Sequence, residues 1–303
     1  MLSGSANFGL LRGVSESLAG RAVYYNLRPF SRRELAGSID RPPFLVSFME
    51  KPQLPRRKSF STITDMEVLT GGLPPIALGE VKESALWFKG YEQTYLERDL
   101  RDIAAVENML GFRDLLKLAA LRTSQLLNAS ELGRDAKLEA KTASRYVGWM
   151  EASFIIHRLP PYRRNKASRI IKSPKIYITD SGLASYLCGC RDLADDPLRG
   201  SLYETYVLQN LLAAMETLIT PVGVYFWRTH TGQEVDFVLE YGREVMAVEV
   251  KSGANFGKRD LSGLQAFLAA TPHCKVALLA YNGTEAMKLG ERLWAIPLGL
   301  MLS

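Results

Sequence analysis

Apolar residues recur at three- and four-residue spacing from Glu83 to about Leu121, as Leu86, Phe88, Tyr91, Tyr95, Leu96 and Leu100, then Leu110, Leu115, Leu116 and Leu118. This is one face of an α-helix, so the stretch predicts helices whose charged face carries Glu97, Arg98, Asp99, Arg101 and Asp102. Residues 123–160 predict a helix-turn-helix. Ser130 caps a short first helix, and a second runs from Glu139 to Ala152 with Ala143, Val147 and Met150 inward and Lys141 and Arg145 outward. From Ser201 onward the period switches between helix and strand. It predicts a helix over Leu202–Met215, strands over Gly223–Arg228, Glu234–Tyr241 and Glu244–Lys251, a helix over Asp260–Ala270 and a strand over Lys275–Ala280.

Two segments read differently. In residues 1–37, Leu10, Leu11, Val14 and Leu18 keep helical spacing until Gly20. In residues 38–80, Pro42, Pro43, Pro52, Pro55, Gly71, Gly72, Pro74 and Pro75 break every period, which predicts an irregular linker, bounded at 38–82, rather than core. The remaining organisation is a helical region over 83–180 and a mixed domain over 181–303.

The hairpin around Gly242-Arg243 can be read pair by pair. A two-residue loop with Gly first suits a type II′ turn. Centred there, Val235 faces Val250, Phe237 faces Val248 and Leu239 faces Met246, so one face is apolar throughout. The other face sets Asp236 opposite Glu249, with Lys251 two residues along. Opposed carboxylates destabilise a strand pair unless a positive charge cancels them. Hard oxygen donors suit Mg²⁺ or Mn²⁺, which can orient a water and offset charge on a scissile phosphate, while Lys251 stabilises the attacked group. The plain alternative is an exposed sheet face on which Lys251 pairs with Glu249. Glu204 has two equal readings: a third carboxylate at the same cation, or the far end of a capping box begun by Ser201. His230 reads as an incidental loop residue and His157 as structural.

The chain has 303 residues, 47% hydrophobic and 23% charged, which argues against wholesale disorder. No run approaches the ~18 apolar residues of a membrane span, and no secretory signal opens the chain, so a cytoplasmic location is expected. Cys188, Cys190 and Cys274 match no zinc spacing and read as reduced thiols. A net charge of +6 is mild, so nucleic-acid binding has to come from where the charges sit. Between Arg163 and Lys175 stand Arg163, Arg164, Lys166, Arg169, Lys172 and Lys175 with no acidic residue. A basic hairpin after a helix-turn-helix is how a winged helix adds phosphate contacts, which makes DNA the expected partner. A solvated face on an ordinary helix pair remains the alternative.

Asp236 in Val-Asp-Phe, followed by Glu249-Val250-Lys251, resembles the PD-(D/E)xK signature of restriction-endonuclease-like domains. Further landmarks are Tyr95–Asp102, Leu159–Asn165, Ser173-Pro174-Lys175, Asp180–Leu183 and Gly200–Glu204. With these, the chain resembles a prokaryotic family that joins an AAA-type ATPase to a C-terminal domain of unknown function 4143. The resemblance implies an α/β, multidomain fold: a partial AAA+ remnant over 1–37, a winged helix-turn-helix, and a restriction-endonuclease-like α-β-β-β-α-β core. It implies Asp236, Glu249 and Glu204 around Mg²⁺ or Mn²⁺ with Lys251 beside them, and nucleic-acid contacts from Lys141, Arg145, Arg163, Arg164, Lys166 and Arg169. A non-catalytic nucleic-acid- or protein-binding module is the alternative. The family's phosphate-binding loop and acidic Walker B strand do not occur here, so the chain alone is expected neither to bind nor to hydrolyse ATP. Arg21 would then act only on a neighbouring subunit's nucleotide, and a homo-oligomer or an intact ATPase paralogue is the expected protein partner. A truncated gene and a late start of the sequence both remain open.

Overall fold

A computed structural model describes residues 25–57, 59–96, 100, 106–163, 165, 169 and 172–303. Arg21, Arg164 and Lys166 lie outside the described residues, as do Glu97, Arg98, Asp99, Arg101 and Asp102 and the ATPase-remnant helix.

The order of elements is mixed α/β with two sheets. The first part holds short helices α1 (Arg32–Leu35), α2 (Phe44–Glu50), α3 (Asp65–Thr70) and α4 (Pro74–Ala77). Next come α5 (Ser84–Thr94), α6 (Met109–Leu121), β1 (Gln125–Leu126), α7 (Ala129–Asp135), α8 (Ala140–Ala152), β2 (Ile156–Leu159) and β3 (Lys175–Ile178). β1, β3 and β2 form an antiparallel three-stranded sheet in that order. Asn128, rather than Ser130, caps α7 by accepting from the Glu131 N–H at 3.2 Å.

The second part runs α9 (Ser181–Cys188), α10 (Arg199–Glu216), β4 (Val222–Arg228), β5 (Glu234–Tyr241), β6 (Glu244–Lys251), a 3-10 turn over Lys258–Leu261, α11 (Ser262–Ala270), β7 (Cys274–Tyr281), β8 (Met287–Lys288), β9 (Leu293–Pro297) and α12 (Leu298–Met301). Its six strands lie in the order β4-β5-β6-β7-β9-β8. β4, β5 and β6 are antiparallel neighbours, and α11 then carries the chain across to a parallel β7. Gly242 takes φ +62° at the first loop position, as the II′ expectation requires, while Arg243 keeps a negative φ.

Residues 38–82 differ from their expected role as a linker. Leu45, Phe48, Met49, Ile63 and Val68 are buried in the same apolar cluster as α10 and the strands. Asn282 clamps the segment, accepting from the Ile63 N–H at 2.7 Å and donating to its carbonyl at 2.8 Å. The prolines hold these helices to four to seven residues, too short to show a period, yet i, i+3, i+4 spacing in α2 still presents one apolar face. One core cluster therefore runs from Leu45 to Leu302, through both parts of the described chain.

The two faces of the six-stranded sheet are covered by different helices. Phe237, Leu239, Met246, Val248 and Val250 join the α10 side. Val238, Val245 and Ala247 join Leu264 and Phe267 of α11. Val235 belongs to the α11 side as well, against the expectation that it shares a face with Phe237. The reason is a β-bulge: Tyr225 pairs with Val238 but Trp227 with Val235, leaving an extra residue on β5 at Asp236-Phe237. A bulge bends the strand and re-aims its side chains.

Candidate functional site

From Phe237↔Val248 to Tyr241↔Glu244, β5 and β6 pair in the expected register. At Asp236 the ladder yields to a side chain: Oδ2 accepts the Val250 N–H at 2.8 Å, so the bulge turns the carboxylate back onto the neighbouring strand. Alternation along β6 then puts Glu249 and Lys251 on the α11 side, with Lys251 Nζ 3.5 Å from Glu249 Oε1 and 3.3 Å from Asp260 Oδ1. Gly263, in the first turn of α11, lies so close to the Glu234 carbonyl that any Cβ would stand 1.9 Å from it; only glycine allows this helix to seat beside the site.

Glu204 joins from α10. The helix begins at Arg199, so Ser201 lies inside it and no side chain caps it, which excludes the capping-box reading. Glu204 instead faces the sheet, where Oε1 accepts from Lys175 Nζ at 2.9 Å and from the Tyr177 hydroxyl. Lys175 is the residue that sequence reasoning misplaced. Expected among the phosphate-contacting basic residues, it is 2% exposed, and its ammonium lies 2.9 Å from Glu204, 2.5 Å from Glu234 and 3.6 Å from Asp236. Its position was legible in one signal: Lys175 heads the run Lys-Ile-Tyr-Ile, all four residues of which are buried. Tyr177 and Glu234 were missed with it.

The charges do not balance. Five carboxylates, Glu204, Glu234, Asp236, Glu249 and Asp260, meet three cations, Lys175, Lys251 and Arg228. The acids respond accordingly. Burial pushes Glu249 up to about 9, reinforced by the Asp236 charge against the pull of Lys251. Burial, with Asp236 again adding, pushes Glu204 up to about 7 despite Lys175. Burial also raises Asp236, although Lys175 and the Val250 N–H oppose it. For Lys175, burial works against the charge, but Glu204, Asp236 and Glu234 outweigh it and the pKa rises. Glu249 Oε2 is buried with no hydrogen-bond partner, which costs free energy in any fold that does not supply one.

This donor set is hard oxygen throughout, the kind of donor that divalent cations such as Mg²⁺ take, and the unpartnered Glu249 oxygen is one such donor. Among the described residues, no three acidic, histidine or cysteine side chains stand ready as a metal cage. Lys175 is inserted between Glu204, Glu234 and Asp236.

The other expected residues are dispersed. Lys141 and Arg145 are exposed on α8, the guanidinium of Arg145 lying 5.3 Å from the Trp149 ring centroid. Arg163 is part-exposed on the β2–β3 connection. Arg169 is a correction: 7% exposed, it is withdrawn from any phosphate by a two-pronged bond to Glu240 at 2.6 and 3.1 Å, between the rings of Tyr162 and Tyr225. His157 sits on β2, where burial pushes its pKa down to about 4 with help from Arg28.

Comparison with known proteins divides the chain near the start of α10. Residues 63–194 match a family described as Domain of unknown function (DUF8612), and residues 199–301 one described as Domain of unknown function (DUF4143). Two uncharacterized mycobacterial proteins, one from Mycobacterium tuberculosis and one from Mycobacterium bovis, are each 30% identical over 312 residues, taking in 100% of this chain and 63% of their own. The chain thus spans less than two thirds of the relatives it matches. No solved structure matches it. Among the described residues, no helix is long and apolar enough to cross a membrane.

Proposed function

We propose that this chain is a DNA-associated cytoplasmic protein whose C-terminal domain hydrolyses phosphodiester bonds with Mg²⁺ or Mn²⁺. The observation that carries the reading is the surplus of buried carboxylate around Asp236 and Glu249, with one Glu249 oxygen left unpartnered. Asp236 and Glu249 are the ligands, and Glu204 is near enough to support them. When bound, the cation supplies an activated water and offsets charge on the phosphate. Lys251, held by Glu249 and Asp260, stabilises the developing negative charge.

Support for the nuclease-like core comes from the succession α10-β4-β5-β6-α11-β7. Support for a winged helix comes from the succession α6-β1-α7-α8-β2-β3 and its sheet order β1-β3-β2. Lys141, Arg145 and Arg163 are the phosphate contacts of that module. The proposed protein partner is an intact AAA-type ATPase paralogue or, alternatively, a second copy of this chain.

A second reading is favoured by Lys175, which already neutralises part of the cluster: the same fold as a non-catalytic binding module. It predicts salt-sensitive DNA binding with no metal requirement. Incubation of the purified chain with DNA and Mg²⁺ or Mn²⁺ separates the two. The catalytic reading expects cleavage that disappears in Asp236→Ala and Lys251→Ala, and it fails if DNA stays intact or if the variants cut equally well.

A further inference from the structure

Lys175 and Tyr177 belong to the segment matching one family, while Glu204, Glu234, Asp236 and Glu249 belong to the segment matching another. The cluster is therefore composite. One strand of the three-stranded sheet inserts its first residue among the acids of the six-stranded sheet, and the insertion is firmly built. Lys175 is paired on β3 with Leu159 of β2 and Leu126 of β1, so its backbone is fixed on both sides. Past Leu159, the chain continues onto the β4 edge, where the Tyr162 N–H donates to the Phe226 carbonyl and the Phe226 N–H donates to the Pro160 carbonyl at 3.1 Å. Arg169 pins the same connection to β5 through Glu240. The ammonium then sits 5.8 Å from the Phe226 ring centroid, on the strand that the connection grips.

An ammonium and a divalent cation placed among the same carboxylates repel each other strongly at low dielectric. From this geometry we infer that Lys175 is a tethered cation that competes with the divalent ion for the carboxylates, so that its fixed seat at the head of β3 sets the metal affinity of the neighbouring site. The inference rests on the metal-dependent reading above and adds its regulation. In the absence of metal, Lys175 holds Glu204, Glu234 and Asp236 together. Entry of the ion requires this pairing to loosen.

The test is calorimetric titration of Mn²⁺ into the full chain, into Lys175→Met and into the charge-balanced double variant Lys175→Met/Glu234→Gln. The double variant removes one charge of each sign, so it stays foldable if the single variant does not. Competition predicts Mn²⁺ affinity raised at least about tenfold in whichever variant folds. It also predicts a larger Mn²⁺-induced rise in unfolding temperature than in the wild type. Unchanged or weaker Mn²⁺ binding in a folded variant overturns the inference, because Lys175 would then serve the ion rather than oppose it; the metal-dependent reading would survive. Absence of Mn²⁺ binding from wild type and both variants overturns both.

Discussion

Strand β5 carries two charged clusters, one at each end; the first receives Arg169 from the β2–β3 connection and the second Lys175 from the start of β3. At the Tyr241 end, Arg169 meets Glu240 through two hydrogen bonds and lies between two aromatic rings. At the Glu234 end, Lys175 meets three carboxylates, with a fourth and a fifth around Lys251. The first cluster has the charge balance and geometry of a structural clasp. The second leaves acids protonated or unpartnered, which folding stability alone does not favour. Charge balance, more than burial, separates architecture from candidate chemistry here.

The largest expected effect lies at the balanced end. Arg169→Met removes both hydrogen bonds to Glu240 and should cost about 3 kcal/mol, read by urea unfolding. Adding Glu240→Gln should recover part of the loss, and recovery of none would show that the rings rather than the ion pair hold the connection.

At the unbalanced end the sign reverses. Glu249 has its pKa raised to about 9, so its stabilising proton is fully present below about 4.5 and is lost as pH rises toward 9. Glu204, raised to about 7, adds to the same slope. The unfolding temperature should therefore fall over this window. Glu249→Gln should flatten the fall and raise the midpoint by at least ~2 °C at alkaline pH. A variant less stable than wild type at pH 9 would mean that the carboxylate is balanced after all.

The smallest effect on folding is expected on α8. Lys141→Ala and Arg145→Ala should leave stability within ~0.5 kcal/mol of wild type. In DNA-binding titrations each should reduce the salt slope by about one, for the phosphate it no longer neutralises. An unchanged slope would remove α8 from the interface.

Much of this was legible in the chain. Strands β5 and β6 begin and end at the residues that alternation marks, and the Gly242 turn follows because a II′ loop wants positive φ at its first position. Other features were not. The bulge at Asp236 leaves no mark in β5's own alternation, because Val235 and Phe237 are both apolar and either face accepts them. Lys175 carries the same letter as a phosphate contact, and only its position at the head of a buried strand distinguishes it. Residues 38–82 looked like a linker because proline caps the helix length below one detectable period, while burial depends on a few side chains such as Phe48 and Val68. Glu204 was ambiguous because a helix start three residues earlier converts a cap into a site residue.

The most direct measurement is a crystal of the full chain soaked in Mn²⁺ and recorded for anomalous scattering. The account predicts a single strong peak between the Asp236 carboxylate and Glu249 Oε2, with Lys175 Nζ displaced away from Asp236. A map without a peak there, with Lys175 still seated among Glu204, Glu234 and Asp236 at saturating metal, would contradict it.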